Sequence, residues 1–309
     1  MEKLEIKLKE SNLETLWVVI YYYVDELYQQ VKHLVKRPGS RPKLSDSEVL
    51  TICIVGQMMS NSESAWYRYV RKNHRKEFPN LIERSRYHRR CKDLSQLQEV
   101  IRQMLVDRLG ANQEHWYIMD SVPVPVCVYA RASRNMRFCE EFAIDNDLLY
   151  GYCASKKESI YGFKLHLMVN SKGIPVHFVL APAAPHDVSL APEVLESYRK
   201  GIAIGFDKGY VGLHKKLLRP EDYHLVVQRR NNQKEQLSKE EKSFLRQFRS
   251  IVETTNSLLS EQFNLQYTRA KSKRGLIHRI TAKIMSLTFA IFLNFLMGEP
   301  LLYVKELVF

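Results

Sequence analysis

Two aspartates sit where short apolar runs stop. Asp120 closes Trp116 to Met119 in WYIMDSV, and Asp207 closes Ile202 to Phe206 in AIGFDKGY. A carboxylate at the end of a strand buried on both faces needs a proton, a cation or a metal, because desolvated charge is costly. On neighbouring strands the two would make a divalent-cation site. Each also has a simpler use, since aspartate commonly caps the turn that follows, and Asp207 before Lys208, Gly209 and Tyr210 fits a plain turn. A third acid, Glu253, falls in mid-helix beside a core stripe of Phe248, Ile251, Val252, Thr255, Leu259 and Phe263. It shares a polar stripe with Arg249, Asn256 and Ser260. Its simpler use is an exposed pair with Arg249, which contributes about 0.2–0.5 kcal/mol.

The elements that must position these acids change character along the chain. Up to about residue 110 the pattern is helical. Leu13, Leu16, Trp17, Ile20, Val24, Leu27, Val31 and Leu34 recur at threes and fours until Pro38 and Gly39. Ser45 with Glu48 is a capping box that opens a second helix, and a third follows Asn61. After Pro79, Ser85 is placed to cap a fourth helix running to Gly110. From His115 the pattern turns to strands. Trp116–Met119 is short, with Pro123 and Pro125 beyond it, and residues 126–160 read as irregular. Tyr161–Val169 and Ile174–Leu180 alternate around a turn at Asn170–Gly173 and predict a hairpin. A helix near Ser189–Lys200, strands at Ile202–Phe206 and Tyr223–Gln228, and long helices over Ser238–Gln262 and Leu276–Met297 complete the order. This predicts an α/β (α+β) chain, a mixed sheet flanked by helices behind a small all-α domain.

Composition narrows the partners. The chain has 309 residues, 47 Lys plus Arg against 34 Asp plus Glu, and a net charge of +13, which favours a polyanion. A membrane partner is disfavoured: MEKLEIKLKE is no signal peptide, and the apolar run Ile284–Met297 is short for a span and holds Ser286, Thr288 and Asn294. Cys53, Cys91, Cys127, Cys139 and Cys153 are scattered without CxxC spacing, so a reducing cytoplasm fits and neither a disulfide framework nor a zinc knuckle is written. GxxxxGK[ST], GxGxxG, GxSxG and HExxH are all missing, which argues against nucleotide hydrolysis, dinucleotide binding, nucleophile elbows and zincin chemistry.

Two basic clusters supply candidate DNA contacts. The first includes Arg71, Lys72, Arg75, Arg86, Arg89 and Arg90 with interleaved Tyr and His, and it suits a helix-turn-helix surface with Ser85–Lys92 facing the groove. The second holds Arg269, Lys271, Lys273, Arg274, Arg279 and Lys283. Lys164 with His166 on the hairpin, and Lys208 with Tyr210 beside Asp207, are further candidates for phosphate contact. His186 and Asp187 precede a helix, where a capping role is the simpler reading.

MDSVPVPVC, YGFKLHLMVNSKGIPVHFVLAPAAPHD, GFDKGYVG and RSIVETTNSLLSEQF, in this order, resemble the catalytic region of bacterial insertion-sequence transposases with an Asp, Asp, Glu triad, most of all insertion-sequence family nine-eight-two. The resemblance spans about residues 45–298. It implies an RNase H-like catalytic domain over 113–309 behind a helical DNA-binding domain over 1–112. It also implies a bacterial, cytoplasmic, nucleoid-associated enzyme acting on the double-stranded DNA of element ends and target, as a homodimer or larger on DNA. Asp120, Asp207 and Glu253 would hold two Mg²⁺ or Mn²⁺ ions, with Asp120 bridging them and Arg249 orienting Glu253 or meeting a phosphate. Where the related pattern carries a tyrosine and a lysine near the glutamate, this chain has Arg246 and Ser260. A DNA-binding regulator with a catalytically inactive domain, and a nuclease without joining activity, stand as alternatives.

Overall fold

The computed structural model describes residues 13–36, 39–40, 42–60, 62–153, 157–229 and 236–307. The amino-terminal decapeptide and Pro38 lie outside them. The chain divides into two compact units: residues up to Leu109 with Leu258–Asn264 and Arg274–Phe309, and Gly110–Ser257 with Leu265–Lys273.

The first unit is helical. It contains α1 (Leu13–Val31), α2 (Asp46–Met59), α3 (Glu63–Asn73), α4 (Arg84–Asp93) and α5 (Ser95–Arg108). The Ser45–Glu48 capping box is formed, with Glu48 N donating to Ser45 Oγ at 3.1 Å and Ser45 N to Glu48 Oε2 at 2.6 Å. The fourth predicted helix is two, α4 and α5. Its cap is Glu83, whose carboxylate accepts from Ser85 N at 2.9 Å, while Ser85 lies inside the helix. Trp17 stacks on Trp66 and meets Phe78 edge-on in the core. The chain's last long helix, Lys273–Met297 (α9, numbered in chain order), is buried almost throughout from Gly275 to Asn294. By length and composition it is apolar enough to cross a membrane, but 83% of its most apolar window is buried inside the protein, as in a core helix.

The second unit carries the curled mixed sheet. Its strands are β1 (Trp116–Cys127), β2 (Tyr150–Cys153), β3 (Glu158–Asn170), β4 (Pro175–Pro182), β5 (Ile202–Phe206) and β6 (Tyr223–Val227). The order is β2-β3-β1-β5-β6, with β4 also on β3. β3 runs antiparallel to β1, β2 and β4, whereas β1, β5 and β6 are parallel. Helices α6 (Arg137–Phe142), α7 (Asp187–Glu196) and α8 (Lys239–Ser257) flank it.

β1 does not stop at Asp120, as the prolines had suggested. Ala203 N donates to His115 O, so odd-numbered residues of β1 turn their backbone toward β5 and even-numbered ones toward β3. β5 pairs β1 only through Ile118, so the missing N–H groups of Pro123 and Pro125 fall where no partner strand remains. β3 follows them to a register shift at Pro125–Cys127. At that shift Gly162 has φ +153°, and an added Cβ would lie 2.5 Å from Val124 O. The segment read as irregular hides α6 and β2, the latter too short to show alternation.

Candidate active site

β1 and β5 pair in parallel with Ile118 opposite Gly205. Asp120 and Asp207 each stand two residues farther on, so the ladder carries both acids to the same height on adjacent strands. The chain then treats them differently. Asp120 continues in β1, with Oδ1 accepting from Ser121 N at 2.8 Å and Oδ2 from Asn256 Nδ2 at 2.8 Å. Asp207 ends its strand and caps a turn, Oδ1 accepting from Gly209 N at 2.8 Å. The capping use expected for Asp207 is therefore real, and it coexists with the shared height.

Glu253 arrives from α8. A second capping box, Ser238 with Glu241, starts that helix, and Leu245, Phe248, Val252 and Thr255 bury its inner face. Close approach depends on Gly205, where a Cβ would meet Leu245 at 3.1 Å, Phe244 at 3.3 Å and Ile118 at 3.4 Å. The adjacent stripe Lys242, Arg246, Arg249 and Glu253 lines a cavity of about 630 Å³ together with Asp120 and Asp207. All three predicted acids thus border one cavity. Lys208 and Arg229 add to it, so five cations face three carboxylates.

The electrostatics follow from crowding. Burial, then the charges of Asp207, Asp187 and Glu253, push Asp120 up to about 6 against the opposing hydrogen bond from Ser121. Asp207 is solvent-accessible as a residue, yet desolvation of its carboxyl and then Asp187 raise its pKa. The pair of Glu253 with Arg249 is also formed: Nε donates to Oε1 at 2.7 Å, Nη1 donates to Gln228 Oε1 at 3.2 Å, and both side chains are more than half exposed. Hard, crowded carboxylate oxygens are the donor set that suits a divalent cation such as Mg²⁺.

Six residues around the acids hold places that the sequence did not announce. Asn256 was noticed only as a member of the polar stripe. Asp187 does not cap α7; it accepts from Ser121 Oγ at 2.9 Å and from Lys164 Nζ at 2.9 Å. Gln228 and Arg229 enter the cavity just beyond β6, with no signal in the sequence, and Lys242 and Arg246 enter from α8, where their place on a basic helix face was the signal. Lys164 is spent on Asp187 and Pro185 O, and His166 is fully buried with neither ring nitrogen hydrogen-bonded. The alternation that suggested a solvated face there is overridden by the start of α7, whose Asp187 pairs with Lys164. Tyr210, read as a DNA contact, is also fully buried.

The remaining candidates lie elsewhere. Arg71, Lys72, Arg75, Arg86 and Arg89 are exposed on and around α3 and α4. Arg90 is not: it donates to Leu44 O and Asp46 Oδ1, each at 2.6 Å. Arg269 and Lys271 are exposed, Lys273 lies over the Phe142 ring at 4.7 Å, and Arg274 pairs with Asp93. Arg279 holds Glu63, and Lys283 is buried against Phe263 O and Gln57. Ser260 sits in the π turn after α8 and does not line the cavity.

Residues 110–273 match the family model of the transposase DDE domain, just over half of the chain and the whole span from Asp120 to Glu253. The chain belongs to the DDE transposase family. No curated protein and no solved structure matches it. A DDE transposase cleaves and transfers DNA, and such transposases generally use divalent metal ions. The matched span nearly coincides with the second compact unit, Gly110–Ser257 with Leu265–Lys273.

Proposed function

We propose that this transposase binds the terminal inverted repeats of an insertion sequence, cleaves the element's ends and joins them to target DNA through Asp120, Asp207 and Glu253. The observation that carries the reading is the parallel register of Ile118 with Gly205, which levels the two aspartates beside the cavity that Glu253 also lines. Asp120, Asp207 and Glu253 would hold the two Mg²⁺ or Mn²⁺ ions, whose chemistry there would be activation of a water or 3′-hydroxyl and stabilisation of a leaving oxygen. The protein's own groups do the positioning. Asn256 and Ser121 N fix Asp120, Arg249 holds Glu253, and Lys208, Arg229, Lys242 and Arg246 meet the phosphates.

The strand order, antiparallel β3-β1 followed by parallel β1-β5-β6, supports an RNase H-like domain for residues 113–309. The exposed arginines around α3 and α4 support a DNA-binding role for residues 1–112, with α4 entering the groove. The four quoted motifs favour insertion-sequence family nine-eight-two and a bacterial, cytoplasmic setting at the nucleoid. Synapsis of two ends calls for a homodimer or larger on DNA. The test is end cleavage and strand transfer by purified, folded Asp120→Asn, Asp207→Asn and Glu253→Gln with Mg²⁺ or Mn²⁺. All three lose both activities; retention in any one removes that acid from the site, and nicking without joining identifies a simple nuclease.

A further inference from the structure

Within the first unit, Cys53 on α2, Cys91 on α4 and His278 on α9 converge, and their ligand atoms all lie within 4.8 Å of one another. They are 5%, 2% and 4% exposed. Tetrahedral zinc with Zn–S about 2.3 Å and Zn–N about 2.0–2.1 Å holds its ligand atoms roughly 3.5–3.8 Å apart, so little closure is needed. His278 Nδ1 is buried and makes no hydrogen bond, an expensive condition for an imidazole nitrogen without a ligand. Gln98 Nε2 reaches Cys53 Sγ at 3.6 Å, the kind of outer donor that steadies a metal-bound thiolate. The space enclosed with Glu63, Tyr87 and His88 is about 10 Å³, enough for one ion or one water.

We propose that Cys53, Cys91 and His278 form a zinc site that joins α2, α4 and α9, separate from the carboxylate cavity. Two thiolates and an imidazole select zinc over the hard cations that carboxylates hold. Glu63 borders the space, but Arg279 already engages both its oxygens, at 3.1 Å and 2.9 Å, so the ligand set is the two thiolates and the imidazole. The three ligands are far apart in the chain, which is why no finger spacing announces them.

The test is the zinc content of the full-length protein purified without added chelator or metal. One equivalent is expected in the wild type and in the Asp120→Asn, Asp207→Asn double variant. Outer-shell partners alone change metal affinity by about 10–100-fold, so Cys91→Ser, which removes a ligand, weakens zinc affinity by at least about tenfold, read by competition with a chromophoric chelator. Should Cys91→Ser fail to fold, the wild type decides. Zn²⁺ removal followed by Co²⁺ addition gives thiolate-to-cobalt charge-transfer absorption, and Zn²⁺ protects two cysteines from a thiol reagent. No zinc uptake and no cobalt–thiolate band overturns the site, as does a Cys53–Cys91 disulfide in the purified protein. Zinc that leaves with the two aspartates but stays in Cys91→Ser overturns it too.

Discussion

Asn256 Nδ2 donates to Asp120 Oδ2 at 2.8 Å, tying the helix that carries Glu253 to the strand that carries Asp120. Asn256 lies three residues beyond Glu253, on the same side of α8. Outer partners of metal-binding carboxylates are worth about 10–100-fold in affinity or activity. Asn256→Ala is therefore expected to raise the Mg²⁺ concentration for half-maximal cleavage by that range while the protein stays folded. An unchanged metal dependence would show the bond to be incidental.

Two buried groups oppose each other in the acid limb of stability. Burial holds His166 down to about 4, so the native state refuses a proton the unfolded chain accepts near 6.5; stability falls as pH drops through that window. Asp120, pushed up from 3.8 to about 6, keeps a proton the unfolded chain has lost; its contribution falls as pH rises through its own window. At about 1.4 kcal/mol per pKa unit, each is an effect of up to about 3 kcal/mol. In chelator, His166→Leu gains on the wild type as pH falls from 6.5 to 4, and Asp120→Asn gains as pH rises from 4 to 6. Urea unfolding at three pH values reads both, and parallel curves for wild type and variant refute the corresponding assignment.

Gly205→Val should separate α8 from the sheet. The space that would receive the side chain is already bounded at 3.1–3.4 Å by Leu245, Phe244 and Ile118. Overpacking of this kind costs about 1–3 kcal/mol, and because Glu253 rides on the helix, cleavage falls further than stability does. Wild-type activity in a destabilised but folded variant would show that the helix is not positioned by this contact.

The Arg249–Glu253 pair is exposed on both sides, and exposed pairs contribute about 0–1 kcal/mol. Arg249→Ala is accordingly expected to leave the melting temperature nearly unchanged while lowering strand transfer. A large drop in melting temperature with normal turnover would reverse that reading.

Neighbouring arginines on α4 are expected to behave in opposite ways. Arg89 is exposed, so Arg89→Ala weakens DNA binding and flattens its salt dependence by about one unit in the log–log slope. Arg90 holds Asp46 and Leu44 O, and Arg90→Ala removes the cation from a buried Asp46 carboxylate that keeps its hydrogen bond from Tyr28, costing up to about 3–5 kcal/mol of stability. Binding isotherms at several salt concentrations, beside thermal melts, separate the two.

What could be read from the residues was whatever one element decides by itself. Ser45 and Glu48 announce their helix because both halves of the cap lie within one turn, and β5 announces itself because all five residues are apolar and an acid ends the run. What escaped was decided by neighbours. The prolines of β1 are tolerated only because β5 has already ended beside them. Asp187 resembles a cap until Lys164 and Ser121, distant in the chain, claim its oxygens. Lys164 and Arg90 carry the charge of a DNA contact, yet each is held by an internal acid, a distinction that composition does not contain.

Three facing residue pairs between β1 and β5 set the height of both aspartates. The loops separating those acids can therefore vary in length without moving either, provided β3 and Asp187 keep their places beside β1. The invariant is thus a shared level on two paired strands, and the residue count between the acids is secondary to it.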